Sequence, residues 1–227
     1  MGVGVLEPDS RIQAVSAPRP SSPPRPERRA PAHEVRIIGG LWKRSKLPVP
    51  DRPGLRPTPD RVRETLFNWL GQDLSGWRCL DAFAGSGALG LEAASRGAAR
   101  VLMLERDAAL VRGLRETVQR LKAGSVEIQA ADALAWMRPH ARPDWDLVLL
   151  DPPFDANLFT AAAAAARPLL APGGLIYLEA DRAWSDATAA LLGLTLWRQG
   201  RAGAVHYHLL RAAAPTLAAP AHLPTTP

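Results

Sequence analysis

The chain has 227 residues, with 28 lysines and arginines against 22 acids, a net charge of +6, and one cysteine, Cys79. That length suits one domain of ordinary size plus tails. A single cysteine excludes both a disulfide framework and a cysteine-rich zinc site. The first residues include Glu7 and Asp9 and lack a long apolar core, and no run of about 18 apolar residues occurs. The expectation is a soluble, cytoplasmic protein without membrane contact. The excess charge is local: residues 34–63 carry eight basic residues against three acids, whereas residues 64–227 are nearly balanced. Such a patch is the electrostatic footprint of a phosphate-backbone partner.

Residues 1–33 are rich in Pro, Ser, Ala and Arg without apolar periodicity and read as a disordered tail, as do residues 212–227. Val35–Ile38 and Lys46–Val49 suit a short hairpin around Gly39-Gly40, within a basic extension over residues 34–57. Thr58-Pro59-Asp60 has the form of a helix start, with Thr58 as N-cap and Pro59 at the first helical position. That helix runs to about Leu70, its apolar face made by Val62, Leu66, Trp69 and Leu70. Strand–helix pairs follow. The strands are Arg78–Phe83, Arg100–Glu105, Val126–Ala130, Asp146–Leu150 and Gly174–Glu179. The helices are Ala88–Arg96, Asp107 to Lys122, a short one after Asp132, Asn157–Leu170 and one near Ser185–Leu192. Two last strands, Thr195–Gln199 and Val205–Leu210, flank a turn at Gly200–Gly203. The alternation predicts an α/β domain over residues 58–211: a mostly parallel sheet with helices on both faces and an antiparallel strand from the closing hairpin.

Two motifs carry chemistry. Gly85, Gly87 and Gly90 form G-x-G-x-x-G between a strand and a helix, and Glu105 ends the next strand twenty residues after Gly85. An acid there binds ribose hydroxyls, so the pattern fits NAD(P) as well as S-adenosylmethionine. Asp81, four residues before Gly85, favours the second, because a carboxylate there suits a positively charged amino-acid moiety and repels a pyrophosphate. Asp132 is placed to accept from an adenine amino group, or to cap the following helix. The second motif, Asp151-Pro152-Pro153-Phe154, follows the apolar run Leu147–Leu150. The carboxylate accepts from an amino group, the prolines hold the turn's carbonyls outward, and Phe154 offers a flat face for a planar ring. Together they suit an exocyclic NH2 of a nucleobase. The five histidines show no ligand spacing, and His206 and His208, on one strand face, read as surface residues. No metal is expected.

Five segments in order, Arg36–Gly40, Leu55–Thr58, Asp60–Leu70, Asp81–Ala93 and Asp151–Phe154, resemble the RsmD family of bacterial 16S rRNA guanine-N2 methyltransferases over about residues 34–211. The resemblance implies a seven-stranded Rossmann-like methyltransferase sheet with a small N-terminal hairpin extension. It implies S-adenosyl-L-methionine as methyl donor and 16S rRNA, in small-subunit or assembly particles, as partner of a monomeric enzyme. Asp81, Ala84, Gly85 and Gly87 would wrap the methionine part, Glu105 and Arg106 the ribose, and Asp132 and Ala133 the adenine, with Asp151 reaching both cofactor and guanine. Arg36, Lys43, Arg44, Lys46, Arg56, Arg61, Arg63 and Glu64 are the expected RNA contacts, with Arg36–Gly40 and Thr58–Asn68 at the mouth of the site. A DNA adenine-N6 methyltransferase, an NAD(P)-dependent oxidoreductase and a non-catalytic RNA-binding module are the competing readings. No target-recognition domain is evident for the first, and the last leaves Asp151–Phe154 unexplained.

Overall fold

The computed structural model describes residues 1–2, 33–50 and 58–213. Arg56 and nearly all of the two expected tails lie outside the described residues. Seven strands form one sheet: β3 (Arg78–Asp81), β4 (Arg100–Glu105), β5 (Val126–Ala130), β6 (Trp145–Leu150), β7 (Leu170–Ala180), β8 (Leu194–Ala202) and β9 (Val205–Ala212). Their order is β5-β4-β3-β6-β7-β9-β8. The first five are parallel, and β9 is antiparallel to both of its neighbours. A separate antiparallel pair, β1 (His33–Arg36) and β2 (Lys46–Val49), forms the N-terminal extension.

The central strands are apolar throughout because both faces are covered. On β6, Leu147 and Leu149 point to one side and Val148 and Leu150 to the other, all fully buried. The first side packs against the β1–β2 pair and helices α1 (Asp60–Trp69), α2 (Ala88–Ser95) and α3 (Ala108–Leu121). The second packs against α4 (Ala133–Met137), α5 (Phe159–Ala166) and α6 (Asp186–Ala190). Ala162, Ala163 and Ala166 are fully buried on α5, so their short side chains bring that helix close to the sheet. Cys79 faces the first core from β3, at 0% exposure.

The expected helix Asn157–Leu170 is shorter, Phe159–Ala166, and Leu170 already begins β7; three further local expectations change. Pro59, not Thr58, is the N-cap residue of α1, and no side chain caps that helix; the Thr58 hydroxyl turns inward, as described below. The apolar face of α1 also includes Phe67 and, unexpectedly, Arg63, both at 0% exposure. His208 is not a surface residue: it is fully buried, accepting from the Trp184 amide at Nε2 (3.0 Å) and donating from Nδ1 to the Leu178 carbonyl (3.2 Å). Burial pushes its pKa down to about 4, which keeps the ring neutral.

The extension is pinned to α2 by side chains. Glu92, buried on that helix, accepts from the Ile38 and Gly39 amides, 2.8 Å each. Ser95 donates to the Gly39 carbonyl (2.6 Å) and accepts from the Trp42 amide (2.9 Å). Gly40 has φ +73°, and a Cβ there would lie 1.8 Å from the Ser95 carbonyl oxygen, so only glycine fits the contact. The buried Arg63 closes the cluster: it meets Glu92 (3.3 Å), Asp60 (2.6 Å) and the Arg36 carbonyl (2.8 Å).

Candidate functional site

The chain leaves β3 toward β4 and β5 on one side, and β6 toward β7 on the other. The strand order therefore reverses between β3 and β6, and a crevice opens at their C-terminal ends, where α/β sheets bind ligands. Both motifs found in the sequence sit there, one at the end of each strand.

The turn after β3 has Gly85 at φ +53° and Gly87 at φ +81°. The left-handed backbone at Gly87 favours glycine, and a Cβ there would also press on the side-chain ends of Leu114 (2.7 Å) and Met103 (2.9 Å). Asp81 lies beneath it, 1% exposed. Its Oδ2 accepts from the Gly90 amide at 2.9 Å, while Oδ1 is buried without a hydrogen-bond partner. Burial raises its pKa to about 7, against the pull of the Gly90 amide and of the nearby Phe83 amide, and the charge of Glu105 adds to the rise. Glu105 is half-buried and accepts from the Gly85 amide (2.9 Å) and the Asp107 amide (2.8 Å), so it ties the turn to the start of α3. Ala84 and Ala133 are buried, and Arg106 and Asp132 exposed. Asp132 caps α4 through the Ala135 amide at 3.0 Å. A buried carboxylate oxygen lacking a donor, below a cradle of small residues and beside a second acid, fits a nucleoside cofactor with a cationic amino-acid arm. It does not fit a pyrophosphate.

Across the crevice, Asp151 follows β6 half-buried. Burial, then the neighbouring charges of Glu179 and Asp81, hold its carboxyl well above the usual range; contact with the Thr58 hydroxyl opposes them. The Thr58 hydroxyl donates to Glu179 Oε1 at 2.7 Å and stands 3.4 Å from Asp151 Oδ2. The Tyr177 hydroxyl donates to the same Glu179 oxygen at 2.9 Å. Glu179 is 2% exposed, and burial raises its pKa too. Pro152 is buried, whereas Phe154 is 36% exposed, its ring edge-on to Phe159 at 5.6 Å. Phe159 thus braces the Phe154 ring while leaving it accessible. Sequence reading missed Tyr177 and Glu179 here, and it gave Thr58, expected at the mouth of the site, a helix-capping role instead of this one. The one local signal was an acid, Glu179, at the end of an otherwise apolar strand.

Of the expected RNA contacts, Arg36, Lys43, Arg44, Lys46, Arg61 and Glu64 are exposed, and Lys46 pairs with Glu34 at 2.8 Å. Arg63 is not an RNA contact: its guanidinium is fully buried among Glu92, Asp60 and backbone carbonyls, out of reach of any RNA. The position of the Gly39-Gly40 segment is also corrected. It docks at Ser95 and Arg96, the C-terminal end of α2, whereas the glycine turn is at the N-terminal end. Eight helical residues separate the two, roughly 12 Å. A cleft of about 470 Å³ bounded by Gly40, Lys43, Glu64, Asn68 and Arg96 opens at that far end and is no part of the crevice. Thr58 does reach the site, because α1 starts at its rim. Among the described residues, no three His, Cys, Asp or Glu side chains gather to hold a metal ion, and no helix is long and apolar enough to cross a membrane.

Comparison with known proteins agrees with this fold. Residues 35–211 match the family described as "Conserved hypothetical protein 95". Ribosomal RNA small subunit methyltransferase D of Escherichia coli (strain K12) is 43% identical over 178 residues, covering 78% of this chain and 89% of that protein. The protein of the same name from Haemophilus influenzae is 43% identical over 181 residues, covering 78% and 93%. A crystal structure of a putative methylase from Haemophilus influenzae superposes with a TM-score of 0.67 at 38% identity, covering 80% of this chain and all of that one. The sheet order, the two motifs on either side of its reversal, and these relatives lead to one conclusion: the chain belongs to the conserved hypothetical protein 95, or RsmD, family of methyltransferases.

Proposed function

We propose that this chain transfers a methyl group from S-adenosylmethionine to the exocyclic N2 of a guanine in 16S rRNA. It would act as a cytoplasmic monomer on the small subunit or its assembly intermediates. The observation that carries the reading is the pairing of Asp151–Phe154 with the glycine turn across the β3–β6 reversal. The names of the relatives support rRNA as substrate; the choice of guanine N2 rests on the family resemblance.

In this reading Asp81 faces the ammonium of the cofactor's amino-acid arm, Glu105 accepts from the ribose hydroxyls, and Asp132 and Ala133 lie beside the adenine. When bound, S-adenosylmethionine supplies an activated methyl group on a sulfonium. The residues of the chain then have to present the amine. Its lone pair is delocalised into the guanine ring and is a poor nucleophile. Asp151 and the Pro152 carbonyl accept the two N2 hydrogens, which favours a pyramidal nitrogen with its lone pair directed at the methyl, and Asp151 takes the proton that the nitrogen loses on gaining the methyl. Phe154 stacks on the base, worth ~1–3 kcal/mol. The base must leave its helix to enter. Most of the acceleration is positioning and electrostatics.

The test is tritium transfer from labelled cofactor to small-subunit particles and to naked 16S rRNA, followed by nucleoside identification. The expected product is N2-methylguanosine. Label in another nucleoside, or in none, refutes the assignment.

A further inference from the structure

Glu179 belongs to neither motif that located the crevice, yet it is closely tied to Asp151. β6 and β7 are parallel with Leu150 opposite Leu178, so Asp151 and Glu179 leave neighbouring strands side by side. Thr58 Oγ1 stands between them, 2.7 Å from Glu179 Oε1 and 3.4 Å from Asp151 Oδ2. A hydroxyl has one hydrogen and two lone pairs: it donates to one carboxyl group and accepts from the other. The groups facing the pair are Asp81 on β3, Tyr177 on β7, Tyr207 opposite Glu179 on β9, and Arg63 on α1. Arg63 favours charge on Glu179, but its guanidinium is already engaged by Glu92 and Asp60. Two carboxyl groups so enclosed do not both ionise.

We propose that Glu179 is a positioning residue of the methyl-transfer site: it and Asp151 hold one proton between them across Thr58, and Glu179 keeps it while the target amine donates to Asp151. The role of the amine rests on the proposed function; the shared proton does not. With no donor at Asp151, the hydroxyls of Thr58 and Tyr177 favour charge on Glu179, and Asp151 carries the proton. When the amine N–H reaches Asp151, the proton passes from Asp151 Oδ2 to Thr58 Oγ1 as the Thr58 hydrogen passes to Glu179 Oε1. One proton has moved, and the pair keeps a single negative charge, now on the carboxylate that faces the amine.

Glu179→Gln, Thr58→Val and Thr58→Ser test this in the full chain. The first measurement uses no substrate: urea unfolding of wild type and E179Q between about pH 5 and pH 9. A carboxyl group that holds its proton more tightly when folded makes stability fall as pH rises. E179Q should therefore gain on wild type with rising pH, and parallel curves would overturn the proposal. If E179Q does not fold, Asp151→Asn gives the same comparison from the other side of the pair. The second measurement is tritium transfer to small-subunit particles. E179Q and T58V should lower kcat at least about tenfold, which is a barrier change of about 1.4 kcal/mol. KM for the particles and affinity for S-adenosylhomocysteine should be unchanged, and T58S should recover most of the loss. Affinity falling in step with rate, or T58S as poor as T58V, overturns the positioning role. Wild type inactive on particles and on naked rRNA would sink the proposed function alone; the unfolding curves would still decide the shared proton.

Discussion

Replacing Asp81 by Asn should make the protein respond differently to pH in a defined direction. The carboxyl group titrates at about 7 in the folded chain, against an ordinary value of 3.8. Between those values the unfolded chain has released a proton that the folded chain keeps, so wild-type stability falls as pH rises through this window and levels off above it. A rise of that size corresponds to about 4 kcal/mol in all, of which roughly 2–3 kcal/mol falls between pH 5 and pH 8. The amide introduced by D81N does not titrate, and its oxygen can still accept from the Gly90 amide. An amide nitrogen in place of Oδ1 adds a constant offset. The prediction therefore concerns slope: the stability of D81N minus that of wild type should rise by roughly 2–3 kcal/mol from pH 5 to pH 8. Urea titrations at each pH measure it, with m-values checked for constancy. S-adenosylhomocysteine should stabilise wild type more at pH 8 than at pH 6, because its ammonium favours ionised Asp81, and should stabilise D81N equally at both. Parallel curves for the two proteins would refute the account of Asp81 as a buried, protonated carboxyl group awaiting a cation.

Three further outcomes are expected. Asp151→Ala should abolish methyl transfer while S-adenosylhomocysteine still raises the melting temperature; near-wild-type turnover would rule out its role toward the amine. Changing Lys43, Arg44 and Lys46 together to Ala should weaken RNA binding and reduce the salt slope by about 2, fewer than three full charges because Lys46 already pairs with Glu34. An unchanged slope would place the RNA elsewhere. Arg63→Met should destabilise the fold by about 3 kcal/mol in urea unfolding, since it leaves part of the charge of buried Glu92 uncompensated; a loss below about 1 kcal/mol would show that Arg96 and the Ile38 and Gly39 amides satisfy Glu92 alone.

The strands were legible because their signal is local. β4, an apolar run between Arg100 and Glu105, and β5, an alternating Val-Glu-Ile-Gln-Ala, begin and end at the residues read from the sequence, and the glycine spacing located the turn. What sequence reading missed depends on partners far along the chain. Thr58 before a proline has every feature of an N-cap, but Glu179, 121 residues later, takes its hydroxyl. Arg63 sits beside Glu64 on a helix whose one other cation, Arg61, is exposed; its buried partner Glu92 lies 29 residues on. The family resemblance implied that the Gly39-Gly40 segment lies at the mouth of the site. Contact with Ser95 fixes it instead at the opposite end of α2. Long-range polar contacts between single residues leave no periodicity to read.

Cys79 lies on β3, paired on one side with β4 and on the other with β6. Burial, with the charges of Asp146 and Asp81, pushes its thiol up to about 12. In the folded chain it is thus both shielded and unreactive, and it is the only thiol in the sequence. A thiol-directed reagent can label the protein only when the centre of the sheet opens, so the labelling rate in native buffer is a clock for that opening. Any ligand that fastens the turn following β3 should slow the clock, which makes an uncoloured, unmodified chain report its own occupancy.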